Sequence, residues 1–205
     1  YAMTQDELAH TFFPLGGLLK AEVRQLAEQR GLVNARKPDS QDICFVPDGD
    51  YAAFLERVMG TGAPEGNFID TGGHVIGRHK GHHRYTIGQR KGLGTGFGEP
   101  RYVISKDAAG NTVTLGRREE LDSSGLTVKE VNWISIGRLA GPVQVTVKTR
   151  YHQPEAAATL YPNDDGSVHV KFETPQPAAA PGQSAVFYSG DTVVGGGIIS
   201  GTAAD

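Results

Sequence analysis

The sequence predicts a mainly β chain with helices only near its start: a small β-rich central domain, then a C-terminal antiparallel β-barrel of about six strands. Three observations carry this. The chain holds 28 glycines in 205 residues, crowded into its middle and its C-terminal end. Many glycines between short apolar runs indicate strands joined by tight turns. The apolar spacing changes near Gly60 from helical to alternating. Finally, Val143-Gln144-Val145-Thr146-Val147-Lys148-Thr149-Arg150-Tyr151 alternates along its whole length, which buries one face of a strand.

Taken in order, Thr4-Gln5-Asp6-Glu7 reads as a capping box opening a short helix over 5–11, which stops before Pro14. A second helix over about 19–30 places Val23, Leu26 and Ala27 on one face, with Gly31 as the residue just past its end. These helices have little sheet to pack on, so they read as the end of a larger, truncated domain. Asp48 or Asp50 can cap a third helix, 51–59. After it, 67–70 and 74–77 flank Thr71-Gly72-Gly73 as a hairpin, and 101–105 and 111–115 form a second one. The last part begins with a strand over 126–134. It continues with the alternating strand 143–151, a hairpin of 156–161 and 167–172, and strands at 184–188 and 192–199. Six strands with short turns suit a small barrel, which leaves no long unpaired edge. The division expected is 1–59, 60–120 and 121–205.

Charge and composition exclude several classes. A net charge of −3 argues against a globally basic nucleic-acid binder. No apolar run approaches the roughly 20 residues that span a bilayer, so no membrane partner is expected. The single cysteine has no partner for an internal disulfide. With no visible signal peptide, that thiol fits a reducing, cytoplasmic compartment.

Local chemistry departs from the average. From Thr71 to Gly98 there is no acidic residue, yet the window holds Arg78, Lys80, Arg84, Arg90, Lys91 and four histidines. Cations, flexible glycines and the Tyr85 ring suit a phosphate backbone, although a solvated loop has the same composition. Tyr85–Gly94 carries too many glycines for a helix and reads as an ordered loop. His79, His82 and His83 match no zinc spacing, and no metal is expected. Gly195-Gly196-Gly197 lies on a strand and reads as a bulge or a close backbone approach, since no helix follows it. Arg150 and Tyr151 end the alternating strand, where an Arg can pair a phosphate and a Tyr can stack on a base. As residues alone they are equally ordinary strand-end side chains. Cys44, in Asp39-Ser40-Gln41-Asp42-Ile43-Cys44-Phe45, reads either as a small buried hydrophobe or as a reactive thiol.

Several stretches together resemble one family. They are Phe13-Pro14-Leu15-Gly16 with Lys20-Ala21-Glu22-Val23-Arg24, the Asp39–Phe45 stretch, and His83-Arg84-Tyr85-Thr86-Ile87-Gly88-Gln89-Arg90-Lys91-Gly92-Leu93-Gly94. Then come Arg150-Tyr151, Pro181-Gly182-Gln183-Ser184-Ala185-Val186-Phe187-Tyr188 and Gly195-Gly196-Gly197-Ile198-Ile199. In this order, along nearly the whole chain, they resemble the tRNA-specific 2-thiouridylases, the MnmA or TrmU family. The resemblance implies an ATP-dependent sulfurtransferase acting on tRNA, with residues 1–59 closing an α/β catalytic domain. ATP adenylates the C2 oxygen of the wobble uridine, and a cysteine persulfide loaded by a sulfur-donor protein, a desulfurase or persulfide relay, delivers sulfur. A deprotonated sulfur is a strong nucleophile, and adenylation makes the oxygen a good leaving group.

Cys44 matches the persulfide cysteine, and Arg150, Tyr151 and Gln183 match tRNA-contacting positions. Arg84, Arg90 and Lys91 are added as tRNA-binding candidates from the cationic window. The family's ATP-binding loop and its upstream catalytic cysteine are absent and would precede Tyr1. This chain is therefore expected to be inactive alone, with no cofactor site of its own. Two other readings remain: an RNA-binding module with a structural Cys44, and a single-cysteine redox enzyme. Cys44→Ser separates them, since only the sulfur-carrier reading ties that thiol to thiolation and not to RNA affinity.

Overall fold

The computed structural model describes residues 1–37, 46, 51–60, 64–94, 96–151, 153–177 and 179–203. The chain divides into two units, Gln5–Thr61 and a larger one formed by Tyr1–Thr4 with Gly62–Asp205.

The smaller unit carries helices α1 (Gln5–Ala9), α2 (Lys20–Gln29) and α3 (Tyr51–Met59). α1 stops two residues short of the expected end; the last turn is taken over by side chain, with the Thr11 hydroxyl donating to Glu7 O at 2.6 Å. At the start of α2 the Glu22 carboxylate accepts the Leu19 N–H at 2.6 Å. Its end is closed as expected around Gly31: Gly31 N–H donates to Glu28 O and Leu32 N–H to Ala27 O, both at 3.0 Å. Phe12, Phe13, Leu19, Leu32 and Val33 are exposed. That is an apolar surface too rich for helices folded only on one another.

The larger unit holds two sheets. The first joins β1 (Gly66–Ile69), β2 (Val75–His79), β3 (Tyr102–Asp107) and β4 (Thr112–Gly116) in the order β2-β1-β4-β3. Both expected hairpins form, and β1 runs parallel to β4, which joins them into one sheet. Asn111 ties the joint. Its amide donates to Glu65 O at 3.0 Å, and its backbone oxygen meets His79 Nε2 at 3.2 Å. Phe68, Val103, Val113 and Leu115 fill the core, with the rings of His79, Tyr85 and Phe97 edge-on to Phe68.

The second sheet is a closed six-stranded barrel, in the order β10-β5-β8-β7-β6-β9. Its strands are β5 (Asp122–Trp133), β6 (Val143–Lys148), β7 (Ala156–Pro162), β8 (Val168–Pro177), β9 (Ser184–Ser189) and β10 (Thr192–Ala203). Every pairing is antiparallel. Inward Val145, Val147, Leu160, Val170, Phe187 and Ile199 make one core. The glycine run of β10 is both bulged and closely approached. The register slips between Gly196 and Ile198, and a Cβ on Gly195 would stand 2.6 Å from Asn132 O. Glycine is required there because neighbouring backbone fills the side-chain space. The ring of Tyr1 lies over Gly196, its hydroxyl is 2.8 Å from Ser184 Oγ, and the Asn132 amide donates to Tyr1 O and Met3 O.

One expectation needs correction. β6 ends at Lys148, so Arg150 and Tyr151 lie in the turn beyond the strand. The chain bends there because Thr149 is inward and bonds across the turn, its hydroxyl donating to Gln153 Oε1 at 3.0 Å. Gln153 N–H closes the turn onto Arg150 O.

Candidate nucleic-acid interface

β6 and β9 pair antiparallel, with Lys148 opposite Val186. The turn after β6 therefore faces the segment that opens β9. Between them lies a concave pocket of about 320 Å³ lined by Lys148, Thr149, Arg150, Tyr151, Gln183, Ser184, Val186 and Tyr188. The period of two decides which side chains line it. Val147, Ala185 and Phe187 are buried in the barrel, while Lys148, Val186 and Tyr188 project outward.

The pocket gathers two cations, two phenol rings, an amide and two aliphatic hydroxyls. Tyr151 is 88% exposed. The backbone of Gln183 is fixed on both sides, its N–H donating to Ala180 O and its oxygen accepting from Ile199 N–H at 2.8 Å. Among the described residues no carboxylate pairs with Arg150; Lys148 has only a long contact of 3.9 Å to Glu155.

Within the cationic window of the first sheet, Tyr85–Gly94 is a loop without helix or strand, as expected. Tyr85 and Leu93 are buried in the sheet's core and anchor its two ends. Gly88 N–H donates to Val103 O at 2.8 Å, and Val103 N–H returns to Gln89 O at 3.0 Å. Lys106 Nζ donates to Tyr85 O at 2.8 Å. The loop approaches the barrel at Gly88: a Cβ placed there would lie 3.5 Å from the Arg150 guanidinium. With φ at +86°, this position also disfavours any side chain. The loop backbone and Arg150 thus lie side by side.

The remaining candidates are spread. Arg84 is half-buried at the end of a single 3-10 turn, His82–Arg84. Arg90 and Lys91 are exposed, and Arg90 lines a separate concavity of about 400 Å³ with Leu93, Phe97 and Arg101. Among the described residues no carboxylate pairs with Arg90 or Lys91. Cys44 and the rest of 38–45 lie outside the described residues. Lys148, Ser184 and Tyr188 line the pocket without having been singled out from the sequence. Lys148 was findable, since it sits two residues before Arg150 in the alternating run.

His79 is buried. Its Nδ1 accepts Gly81 N–H at 3.1 Å, so the proton sits on Nε2 and is donated to Asn111 O. Burial is the main force holding this imidazole below the usual histidine range, and His82 and Arg78 push the same way against the Asn111 bond. A neutral, doubly bonded ring of this kind serves the fold. Among the described residues no cluster of His, Cys, Asp and Glu can hold a metal.

Comparison with known proteins agrees with this architecture. Residues 1–48 match the family model described as tRNA methyl transferase HUP domain, 52–117 the tRNA methyl transferase PRC-barrel domain, and 123–199 the aminomethyltransferase β-barrel domain. Those three in succession define a class of protein, a HUP domain followed by two β modules. Within it, the chain is 50% identical over 199 residues to the tRNA-specific 2-thiouridylase MnmA of Acetivibrio thermocellus, covering 97% of this chain and 55% of that protein. It is 50% identical over 200 residues to the MnmA of Halothermothrix orenii, covering 97% and 56%. To that of Treponema denticola it is 48% identical over 203 residues, covering 96% and 56%. The chain belongs to the tRNA-specific 2-thiouridylase (MnmA) family, and the methyl-transferase wording of the domain descriptions does not extend to these relatives' names. It spans about half the length of the curated relatives it matches. No helix among the described residues is long and apolar enough to cross a membrane.

Proposed function

We propose that this chain is the part of an ATP-dependent tRNA 2-thiouridylase that holds tRNA and carries the transferable sulfur. The observation that carries the reading is the convergence of the adjacent Arg150 and Tyr151 with Gln183, from a distant part of the sequence, on one open pocket whose guanidinium no carboxylate neutralises among the described residues. Arg150 and Lys148 pair phosphates, Tyr151 stacks on a base, and the Gln183 amide offers both donor and acceptor to a base edge. Arg84, Arg90 and Lys91 add charge along the neighbouring loop. The labour divides at 1–59, carrying Cys44, and at 60–120 and 121–205, which grip RNA.

Cys44 is the sulfur carrier in this reading. Its persulfide is loaded by a sulfur-donor protein in a reducing, cytoplasmic compartment. The wobble-uridine oxygen is activated by ATP, whose use the match to the HUP domain supports. Full-length protein incubated with a cysteine desulfurase and cysteine should gain one sulfur on the peptide containing Cys44, read by mass spectrometry. A gain elsewhere, with Cys44 unmodified, leaves an RNA-holding module with a structural cysteine.

A further inference from the structure

We propose that Gln89 is a positioning residue for RNA binding, the brace that holds the cationic loop of the first sheet in the one shape that seats Arg150. This rests on the reading that the chain holds tRNA. The side chain of Gln89 spans its own loop. Its Oε1 accepts Thr86 N–H at 2.9 Å, and its Nε2 donates to Lys91 O at 2.9 Å. Its backbone closes the same turn, with Gln89 N–H donating to Thr86 O at 2.9 Å, and accepts from Val103 N–H. One residue therefore ties Thr86, Lys91 and the β3 residue Val103 together.

What the brace holds matters because of its neighbours. Gly88 immediately precedes Gln89, and its backbone lies against the Arg150 guanidinium of the barrel. Arg90 and Lys91 immediately follow it. The shape imposed on Thr86–Lys91 sets the seat of Arg150 and the aim of two further cations. A glycine-containing loop without such a brace would have to be ordered when RNA binds, and that entropy would be taken out of the affinity. The role calls for an amide with a three-carbon reach. Met matches the length without the bonds, and Glu keeps the Thr86 bond but sets a carboxylate against the Lys91 carbonyl.

The test uses the full chain and an unmodified tRNA transcript. Gln89→Met should weaken binding ~10-fold, as expected for two modest hydrogen bonds lost from a preorganised loop. Its log Kd against log salt slope should stay that of wild type, because no cation is removed. Arg90→Ala, by contrast, should flatten that slope by about 0.7–0.9. Amide exchange at Gly88 and Val103 should accelerate in Gln89→Met while the barrel amides of Val147 and Phe187 keep their protection, which separates a loosened loop from a misfolded chain. Gln89→Glu should show the same exchange change in smaller degree. Unchanged exchange at Gly88 and Val103 overturns the brace. Unchanged affinity, or a slope flattened as in Arg90→Ala, overturns its role in binding. If wild type itself does not bind the transcript, the RNA-holding reading fails, and the exchange experiment still decides whether Gln89 braces the loop.

Discussion

Arg150 is where two surfaces meet. It stands in the turn after β6, lines the barrel pocket and lies against Gly88 of the neighbouring loop. A guanidinium with no carboxylate partner in the described residues is a poor stabiliser of the fold and a good phosphate ligand. Arg150→Ala should leave the melting temperature within a degree or two of wild type. It should weaken tRNA binding and reduce the salt slope by about 0.7–0.9. His79 makes the opposite case. Its imidazole is held below its ordinary range, so below about pH 6.5 the unfolded chain takes up the proton more readily than the folded one. Its contribution is fully present above that pH and is lost as pH falls towards the depressed folded value. Urea unfolding of wild type and His79→Gln at pH 7.5 and pH 5 should show a steeper loss for wild type. Parallel losses would remove His79 from the account.

At the level of elements, the strands were legible because apolar alternation and turn residues coincide. Asn163-Asp164-Asp165-Gly166 between two alternating runs could hardly be anything but a hairpin, and β7 and β8 pair around it. The parallel contact of β1 with β4 was not legible, because no local pattern records which strands meet when Asn67 pairs with Thr112 and Ile69 with Thr114. The end of β6 at Lys148 was not legible for a related reason: Thr149 continues the alternation while its hydroxyl turns the chain. The role of Gln89 left no signal, since a single amide among glycines has no period. The glycine run of β10 was legible as a close approach, and it gives a test. Gly195→Ala should cost about 1–3 kcal/mol in urea unfolding, because its Cβ would meet the fixed backbone oxygen of Asn132. Gly201→Ala, with open space around it, should lie near zero. Equal effects would mean the barrel accommodates the added carbon.

For the whole molecule, the sequence motifs led to the family, and the fold shows which of those motifs lie together. Arg150, Tyr151 and Gln183 share one pocket; the Tyr85–Gly94 motif contributes its backbone at Gly88 and sends Arg90 to a second concavity. Cys44 lies outside the described residues, so its role rests on the motif around it. In the full-length protein Cys44→Ser should abolish thiouridine formation while tRNA affinity stays within about twofold, a difference near the resolution of a binding free energy. Retained thiolation would make that thiol structural. The account stands or falls on the loop and the barrel pocket forming one RNA-holding face. Ultraviolet crosslinking of a tRNA transcript to the full chain, followed by peptide mapping, tests that directly. Crosslinks should fall on the peptides containing Tyr85–Lys91 and Arg150–Tyr151. Crosslinks confined to the Asn163–Ser167 turn would contradict it.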